Sequence, residues 1–330
     1  MARVVRFHKT GRPEVLQIDD IDIGAPGAGE LRLRVHAIGL NRAEAMFRSG
    51  TYLETPVFPA TLGYEAAGTV DAIGEGVTGF AIGDKVSVIP SFSMTQYGTY
   101  GDQTIVPASA VAKHPASLSW EQAAATWMQY MTAYGALVDV MRVAAGDAVI
   151  ITAASSSVGL AAIQIVNAAG AVSIATTRTS AKRDALLRLG AQHVIATEEQ
   201  DLVAEVKRIT GGTGARIVFD PVAGKGVETL AQAVSYCGSI ILYGALSLSE
   251  TPFPLFAAIG SGLTVRGYSL FEVVRNPDRM AAGKQYILDG LTSGKLKPEI
   301  ARVFPFEKIA DAHRYLESNE QIGKVVVTVD

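Results

Sequence analysis

Short runs of alternating apolar and polar residues fill the first third of the chain. In ELRLRVHAIGL (residues 30–40), AAGTVDAIG (66–74) and DKVSVIP (84–90), apolar side chains recur at every second position, and Gly turns separate the runs. That period places one face of a strand in a core and the other in water. GDQTIVPASAVAKHP (101–115) reads the same way. SWEQAAATWMQYMTAYGALVDV (119–140) changes to a helical rhythm, with Ser119 placed to cap it and Glu121 and Gln122 in the first turn.

From residue 146 the pattern changes again. Apolar runs of four to seven residues alternate with amphipathic stretches. DAVIITA, AVSIATT, HVIAT, ARIVFDPV and GSIILYGAL read as buried strands. SVGLAAIQIVNAA, SAKRDALLRLG, LVAEVKRITG and GVETLAQAVSY read as the helices between them. Strand–helix alternation at this spacing predicts right-handed βαβ units and a doubly wound parallel sheet over roughly 130–260. After LTVRGYSL, two further helices (PDRMAAGKQYILDGLTSGKL and FEKIADAHRYLES) and a last strand, GKVVVTVD, leave the series and are expected to complete the first domain. The fold class is therefore α/β, with a mainly β domain at 1–125 and 265–330 and a dinucleotide-binding domain at 126–264.

Composition sharpens this picture. The 330 residues are 48% hydrophobic and 18% charged, with a net charge of −3. No basic run reaches five residues, so neither nucleic acid nor an acidic membrane surface is an expected partner. Residues 148–177 carry no charge, yet Gln164, Asn167 and three consecutive serines break them into strand, turn, helix and strand, against a membrane span. The N-terminal stretch has no apolar signal core. One cysteine, Cys237, excludes an internal disulfide and any multi-cysteine metal site. It reads as a small buried hydrophobe in a cytoplasmic protein. The five histidines, His8, His36, His114, His193 and His313, are scattered and read as structural or surface residues.

The segment AASSSVG (153–159) lies where strand meets helix. A dinucleotide site needs a tight turn, a helix N-terminus aimed at the pyrophosphate, and no bulk in the way. Only Gly159 remains of the usual glycines. Ser156, Ser157 and Val158 complete the turn, the serines being small and able to cap the helix or to donate to phosphate. An ordinary strand–turn–helix is the alternative. Some 20 residues on, where NAD-preferring folds carry an acid, ATTRTSAKRDA offers Arg178 and Lys182 and no acid before Asp184. Such a cationic strand end suits a 2′-phosphate, so NADPH is the expected cofactor.

In the order of its motifs the chain resembles the medium-chain dehydrogenase/reductase superfamily, and most closely its zinc-free, zeta-crystallin-like quinone oxidoreductase branch. The motifs are AIGLNRAEAMFRSGTY (37–52), PATLGYEAAGTV (59–70), GDKV (83–86), MTAYGAL (131–137), SSSVGLAAIQ (155–164), FDPVAG (219–224), LYGALS (242–247) and GKVVV (323–327). The resemblance implies a Rossmann cofactor domain and a GroES-like catalytic domain. Positions that hold catalytic zinc in the metal-dependent branch match Asn41, Tyr64 and about Met128, which are poor zinc ligands, so no metal is expected.

The resemblance further implies Asn41 and Tyr52 in the active site, and Tyr64 beside them as a third donor. Thr132, the backbone of Gly244, Ala245 and Leu246, and Lys324 would contact the cofactor. Phe92 and Tyr97, in a loop that also carries Tyr100, would form an aromatic wall or lid over a small electrophilic acceptor whose pocket Met128 lines, a structural loop being the alternative. Tyr268 and Phe271 would close that pocket. A homodimer or homotetramer is implied, with GSIILYGALS as a possible sheet edge. Without a Lewis acid the acceptor must already be activated, which favours quinones and conjugated enones over alcohols. An alcohol or aldehyde dehydrogenase, an enoyl-thioester reductase and a non-catalytic NADPH-binding protein are the alternatives.

Overall fold

A computed structural model describes residues 1–329; Asp330, the last residue of the expected final strand, lies outside them. The chain divides into two compact units, Met1–Met128 with Pro298–Asp330, and Gln129–Lys297.

The first unit opens with strands β1 (Ala2–Phe7), β2 (Gln17–Ile21) and β3 (Glu30–Leu40), then helix α1 (Arg42–Ser49). Strands β4 (Ala60–Thr61), β5 (Glu65–Ile73), β6 (Lys85–Val88), β7 (Gln103–Pro107) and β8 (Val111–Lys113) follow, then helix α2 (Trp120–Ala124). In β3 the alternation works as read: Leu31, Leu33 and Val35 are buried while Arg32, Arg34 and His36 point away. The expected single helix over 119–140 is two. Ser119 caps α2 as anticipated, accepting from the Gln122 amide. The helix then ends at Ala125, where the Thr126 hydroxyl bonds back to the Gln122 carbonyl. Helix α3 (Trp127–Tyr134) restarts with the Trp127 indole donating to Ser87 Oγ at 2.7 Å, and it runs on into a π-helical segment, Gly135–Val140.

The second unit carries β9 (Ala148–Ile151), α4 (Ser157–Ala168), β10 (Val172–Thr177), α5 (Arg183–Arg188), β11 (His193–Ala196), α6 (Leu202–Ile209), β12 (Ala215–Asp220), α7 (Gly226–Ala233) and β13 (Val234–Leu242). These are followed by α8 (Leu255–Ser261), β14 (Thr264–Gly267), α9 (Phe271–Val274) and α10 (Pro277–Thr292). All six strands run parallel in the order β11-β10-β9-β12-β13-β14. From β9 the chain winds outward through β10 and β11, then returns to place β12 on the other side of β9. The switch point lies between the C-terminal ends of β9 and β12, the place where such sheets bind ligands.

This unit ends later than the sequence suggests, at 297 rather than 264. Thr264–Gly267 pairs with Ser239–Leu242 as the edge strand. Helix α10 packs on the α3 end of the unit, with Tyr286 against Tyr134 at 5.1 Å and Arg279 ion-paired to Asp139. Cys237 is also a correction. It is exposed, with φ of +55°, in an irregular start to β13 that turns Tyr236 and Cys237 to solvent.

Strands β15 (Ile300–Pro305) and β16 (Lys324–Thr328), with α11 (Ile309–Ser318) between them, belong to the first unit. There β16 pairs antiparallel with β3, giving a seven-stranded sheet with the path β15-β16-β3-β5-β6-β8 and β7 also on β3. No helix among the described residues is long and apolar enough to cross a membrane.

Candidate functional site

In the second unit the strand–helix turn begins as β9 ends. Ala153 takes φ of +46°, a left-handed conformation that residues other than Gly adopt at a cost. Ser156 is the N-cap of α4 and its hydroxyl accepts from the Gly159 amide at 3.1 Å. The amides of Ser157 and Val158, in the first turn, have no intrahelical acceptor and carry the positive end of the helix dipole. A Cβ on Gly159 would stand 2.6–2.8 Å from the Ala154 backbone, so only glycine lets the helix approach the turn this closely. Serines therefore replace glycines where a cap is useful, and glycine stays where contact forbids a side chain.

Lys182 Nζ donates to Ser155 Oγ at 3.1 Å, directly on the turn, and Arg178 is exposed just past the end of β10. A carboxylate in this neighbourhood, Glu199, accepts from the Ser180 amide at 2.8 Å. Asp220 was not singled out from the sequence. It is fully buried at the end of β12 and ties the switch point together. It accepts from Thr152 Oγ1 at the end of β9, from the Val222 amide at 3.0 Å and from the Ala223 amide at 2.8 Å. The Gly244–Leu246 stretch follows β13 and lies over this loop, the Leu246 amide donating to the Pro221 carbonyl at 2.9 Å. Thr132 is buried on α3. Phe271 opens α9 under the Arg275 guanidinium, 5.0 Å from its ring centre. Tyr268 is buried with its hydroxyl against Gly135, so it packs this unit rather than closing a cleft.

The first unit concentrates its polar chemistry at one end of three neighbouring strands. Register puts Gly39 of β3 opposite both Glu65 of β5 and Val326 of β16, which brings Asn41, Glu65 and Lys324 together. Lys324 is buried. Its ammonium donates to Glu65 Oε2 and, at 2.5 Å, to Asn41 Oδ1. The Asn41 amide nitrogen faces Glu44 Oε1 at 3.1 Å, Glu65 Oε2 at 3.2 Å and the Gly39 carbonyl at 3.3 Å. Glu44 also accepts from the Asn41 backbone at 2.7 Å and from the Tyr64 backbone at 3.1 Å. Glu65 Oε1 accepts from the Met128 backbone at 2.8 Å. Burial pushes the Glu44 carboxyl up to about 7, against the opposing pull of the Asn41 side chain and Lys324.

Above this network lies a chain of rings. Phe47, Tyr52, Tyr64, Phe92 and Tyr97 follow one another at centroid separations of 6.4, 6.4, 5.9 and 5.7 Å. The Tyr52 and Tyr64 hydroxyls are 3.4 Å apart. Gly63, with φ of +112°, sets the entry to Tyr64, and a Cβ there would meet the Tyr100 ring at 2.3 Å. Burial pushes the Tyr52 phenol up to about 12 and the Tyr64 phenol higher still, so both keep their protons at neutral pH. Tyr97 donates to Glu30 Oε1 at 2.8 Å. Phe92 and Tyr100 are buried, which makes their loop an anchored wall rather than a hinged lid.

This arrangement bears on three expectations. Asn41 has both ends of its amide engaged, so it organises the site rather than donating to an acceptor. Lys324 is enclosed within the first unit by Glu65 and Asn41, where a solvated or cofactor-facing ammonium was expected. The donor set does not suit zinc: an ammonium already holds the Asn41 and Glu65 oxygens, Tyr64 offers a protonated phenol, and Met128 contributes a backbone amide to Glu65. Glu44 had a legible signal in the spacing Asn-x-x-Glu ahead of an apolar run.

Residues 27–149 match the family described as alcohol dehydrogenase GroES-like domain, and residues 157–282 that described as zinc-binding dehydrogenase. Human quinone oxidoreductase is 32% identical over 330 residues, covering 99% of this chain and 98% of that protein. An Escherichia coli quinone oxidoreductase solved in complex with NADPH is 31% identical with a TM-score of 0.91, covering 99% of this chain and 100% of the other. A solved NAD-dependent alcohol dehydrogenase is 32% identical with a TM-score of 0.89, covering both chains fully. With its parallel dinucleotide-binding sheet, its GroES-like domain and these likenesses over almost its whole length, the chain belongs to the quinone oxidoreductase branch of the medium-chain dehydrogenase/reductase superfamily.

Proposed function

We propose that this protein is an NADPH-dependent, zinc-independent reductase of quinones or conjugated enones. The observation that carries the reading is the turn at 152–159 with Lys182 on Ser155 and Arg178 at the end of β10. The amides of Ser157 and Val158 and the N-terminus of α4 would hold the pyrophosphate. Lys182 and Arg178 would take the 2′-phosphate, where an NAD site would place a carboxylate. The NADPH held by the Escherichia coli relative supports the same cofactor here. Bound there, NADPH would supply the hydride.

The first unit's part is to stabilise the oxyanion that forms on the acceptor. With Tyr64 donating to the Tyr52 oxygen, the Tyr52 proton can point at that oxyanion. Both phenols remain protonated at neutral pH and serve as hydrogen-bond donors. Phe92 and Tyr97 give a flat acceptor an aromatic wall. An alcohol substrate is disfavoured, since the oxygens of the Asn41–Glu65–Lys324 network are already engaged and none is placed to take its proton.

The chain also assembles as a homodimer through the edge of the second unit. Among the described residues, β14 rather than β13 of GSIILYGALS is the sheet edge, since β13 pairs on both sides, and Phe253, Phe256 and Ile259 in the segment leading into β14 are 59%, 89% and 74% exposed.

The test is oxidation of NADPH by the purified protein with a quinone acceptor and chelator present, repeated with NADH. Turnover that prefers NADPH is expected, and Arg178→Ala should raise KM for NADPH about tenfold or more while leaving NADH little changed. Turnover that requires added zinc, or equal use of both cofactors by wild type and variant, refutes the assignment.

A further inference from the structure

The GroES-like unit buries an ammonium, two carboxyl groups and an amide in one hydrogen-bonded cluster. We infer that Lys324 is a positioning residue. Through Glu65, Asn41 and Glu44 it fixes the backbone at Tyr64 and Met128, and so the ring that faces the acceptor. The inference rests on the reductase reading for its kinetic consequence and on the geometry alone for its structural one.

The connections run without a gap. Lys324 holds Glu65 Oε2, and Glu65 Oε1 holds the Met128 amide. Lys324 also holds Asn41 Oδ1, which leaves the amide nitrogen facing Glu44 and Glu65. Glu44 Oε1 in turn holds the Tyr64 amide. That orientation of Asn41 is enforced, because a flipped amide would aim oxygen at two carboxylates and nitrogen at an ammonium. Each carboxylate thus reaches both into the cluster and to a backbone N–H of the site. The cation of the cluster is Lys324. Without it Glu65 stays buried with no charge to balance it, and Asn41 loses the donor that sets its orientation. The Met128 amide is also one of the first-turn donors of α3 that the helix itself cannot satisfy, so Glu65 fixes where that helix restarts.

Lys324→Met keeps the volume and removes the charge. Amide exchange and steady-state kinetics are measured on the full-length protein. Faster exchange at Tyr64 and Met128, by tenfold or more, is expected, with the peptides of β9 and α4 at wild-type protection. Quinone kcat/KM should fall tenfold or more while Kd for NADPH stays within twofold. Wild-type exchange at both amides overturns the inference. So does a rise in NADPH Kd that accounts for the lost activity, since this would make Lys324 a cofactor contact.

If Lys324→Met does not fold, Glu65→Gln combined with Lys324→Met removes both charges. The neutral amide introduced at position 65 cannot satisfy Asn41 as the ion pair did, so faster Tyr64 exchange and the same kinetic split are expected. Wild-type values for both in that double variant overturn the inference. If the wild type turns over no quinone, the reductase reading fails, and the exchange comparison still decides the role of Lys324.

Discussion

Replacing Gly159 with alanine tests the cofactor turn at its tightest point. The added Cβ would lie 2.6, 2.7 and 2.8 Å from three backbone atoms of Ala154, where ordinary contact begins at 3.4 Å. No flexible side chain is available to yield, so the start of α4 and the turn must separate by about 0.8 Å, and overpacking of this kind costs about 1–3 kcal/mol of stability. The same displacement acts on the Ser157 and Val158 amides. A hydrogen bond to phosphate at about 2.9 Å lengthened by that amount passes the distance at which it counts as one. Losing one such bond to a charged group is worth about 1.5–3 kcal/mol, or about 10- to 150-fold in Kd. The assay is fluorescence titration with NADPH beside urea unfolding of the same preparations. Gly226→Ala is the control, because it also lies in the first turn of a helix and a Cβ there meets nothing within 4 Å. Binding within twofold of wild type and an unchanged urea midpoint for Gly159→Ala would refute the account of the turn.

Two further outcomes follow from buried and exposed groups elsewhere. His313 is buried with Nδ1 2.9 Å from an Arg48 nitrogen; arginine can only donate, so the neutral ring carries its proton on Nε2. Burial, then Arg48 and Arg42, push it down to about 3. The unfolded chain binds this proton first, so the stabilisation is complete above about pH 6.5 and is lost as pH falls toward 3, by about 1.4 kcal/mol per unit. Urea midpoints between pH 4 and 7 should therefore fall less steeply for His313→Asn than for wild type, and equal slopes would discard the explanation. Phe256→Glu on the exposed face beside β14 should shift sedimentation from dimer to monomer, with kcat/KM per subunit measured alongside, whereas an unshifted dimer would place the interface elsewhere.

The chain announces its local chemistry and conceals its long-range chemistry. The alternation in β3, the capping serine at 119 and the serine turn at 156–157 were all readable, because each depends on neighbours a few residues away. The Lys324 network was not. Its ion pair joins residues 259 positions apart, and its contact with Asn41 spans 283. A lysine at a strand start reads as solvated until the register of β16 on β3 is known. The break between α2 and α3 was hidden for the same reason, since the carboxylate that holds the Met128 amide comes from β5. Cys237 misled because an irregular strand start reverses which side chains face inward, and apolar neighbours carry no trace of that. The true end of the second unit needed the pairing of β14, a strand too short to declare its sheet.

The interleaving of the two units also gives the chain an order of completion. The second unit is one continuous segment, and all its strands are made before β16. The first unit begins earlier yet lacks β16 until residues 324–328 are made. Throughout that interval Glu65 and Glu44 have no Lys324 beside them, and the edge of β3 is open. The nascent catalytic unit must therefore wait, hydrated and unlatched, while the cofactor unit folds. Synthesis of β16, rather than any local signal, is the event that completes the buried cluster around Glu65.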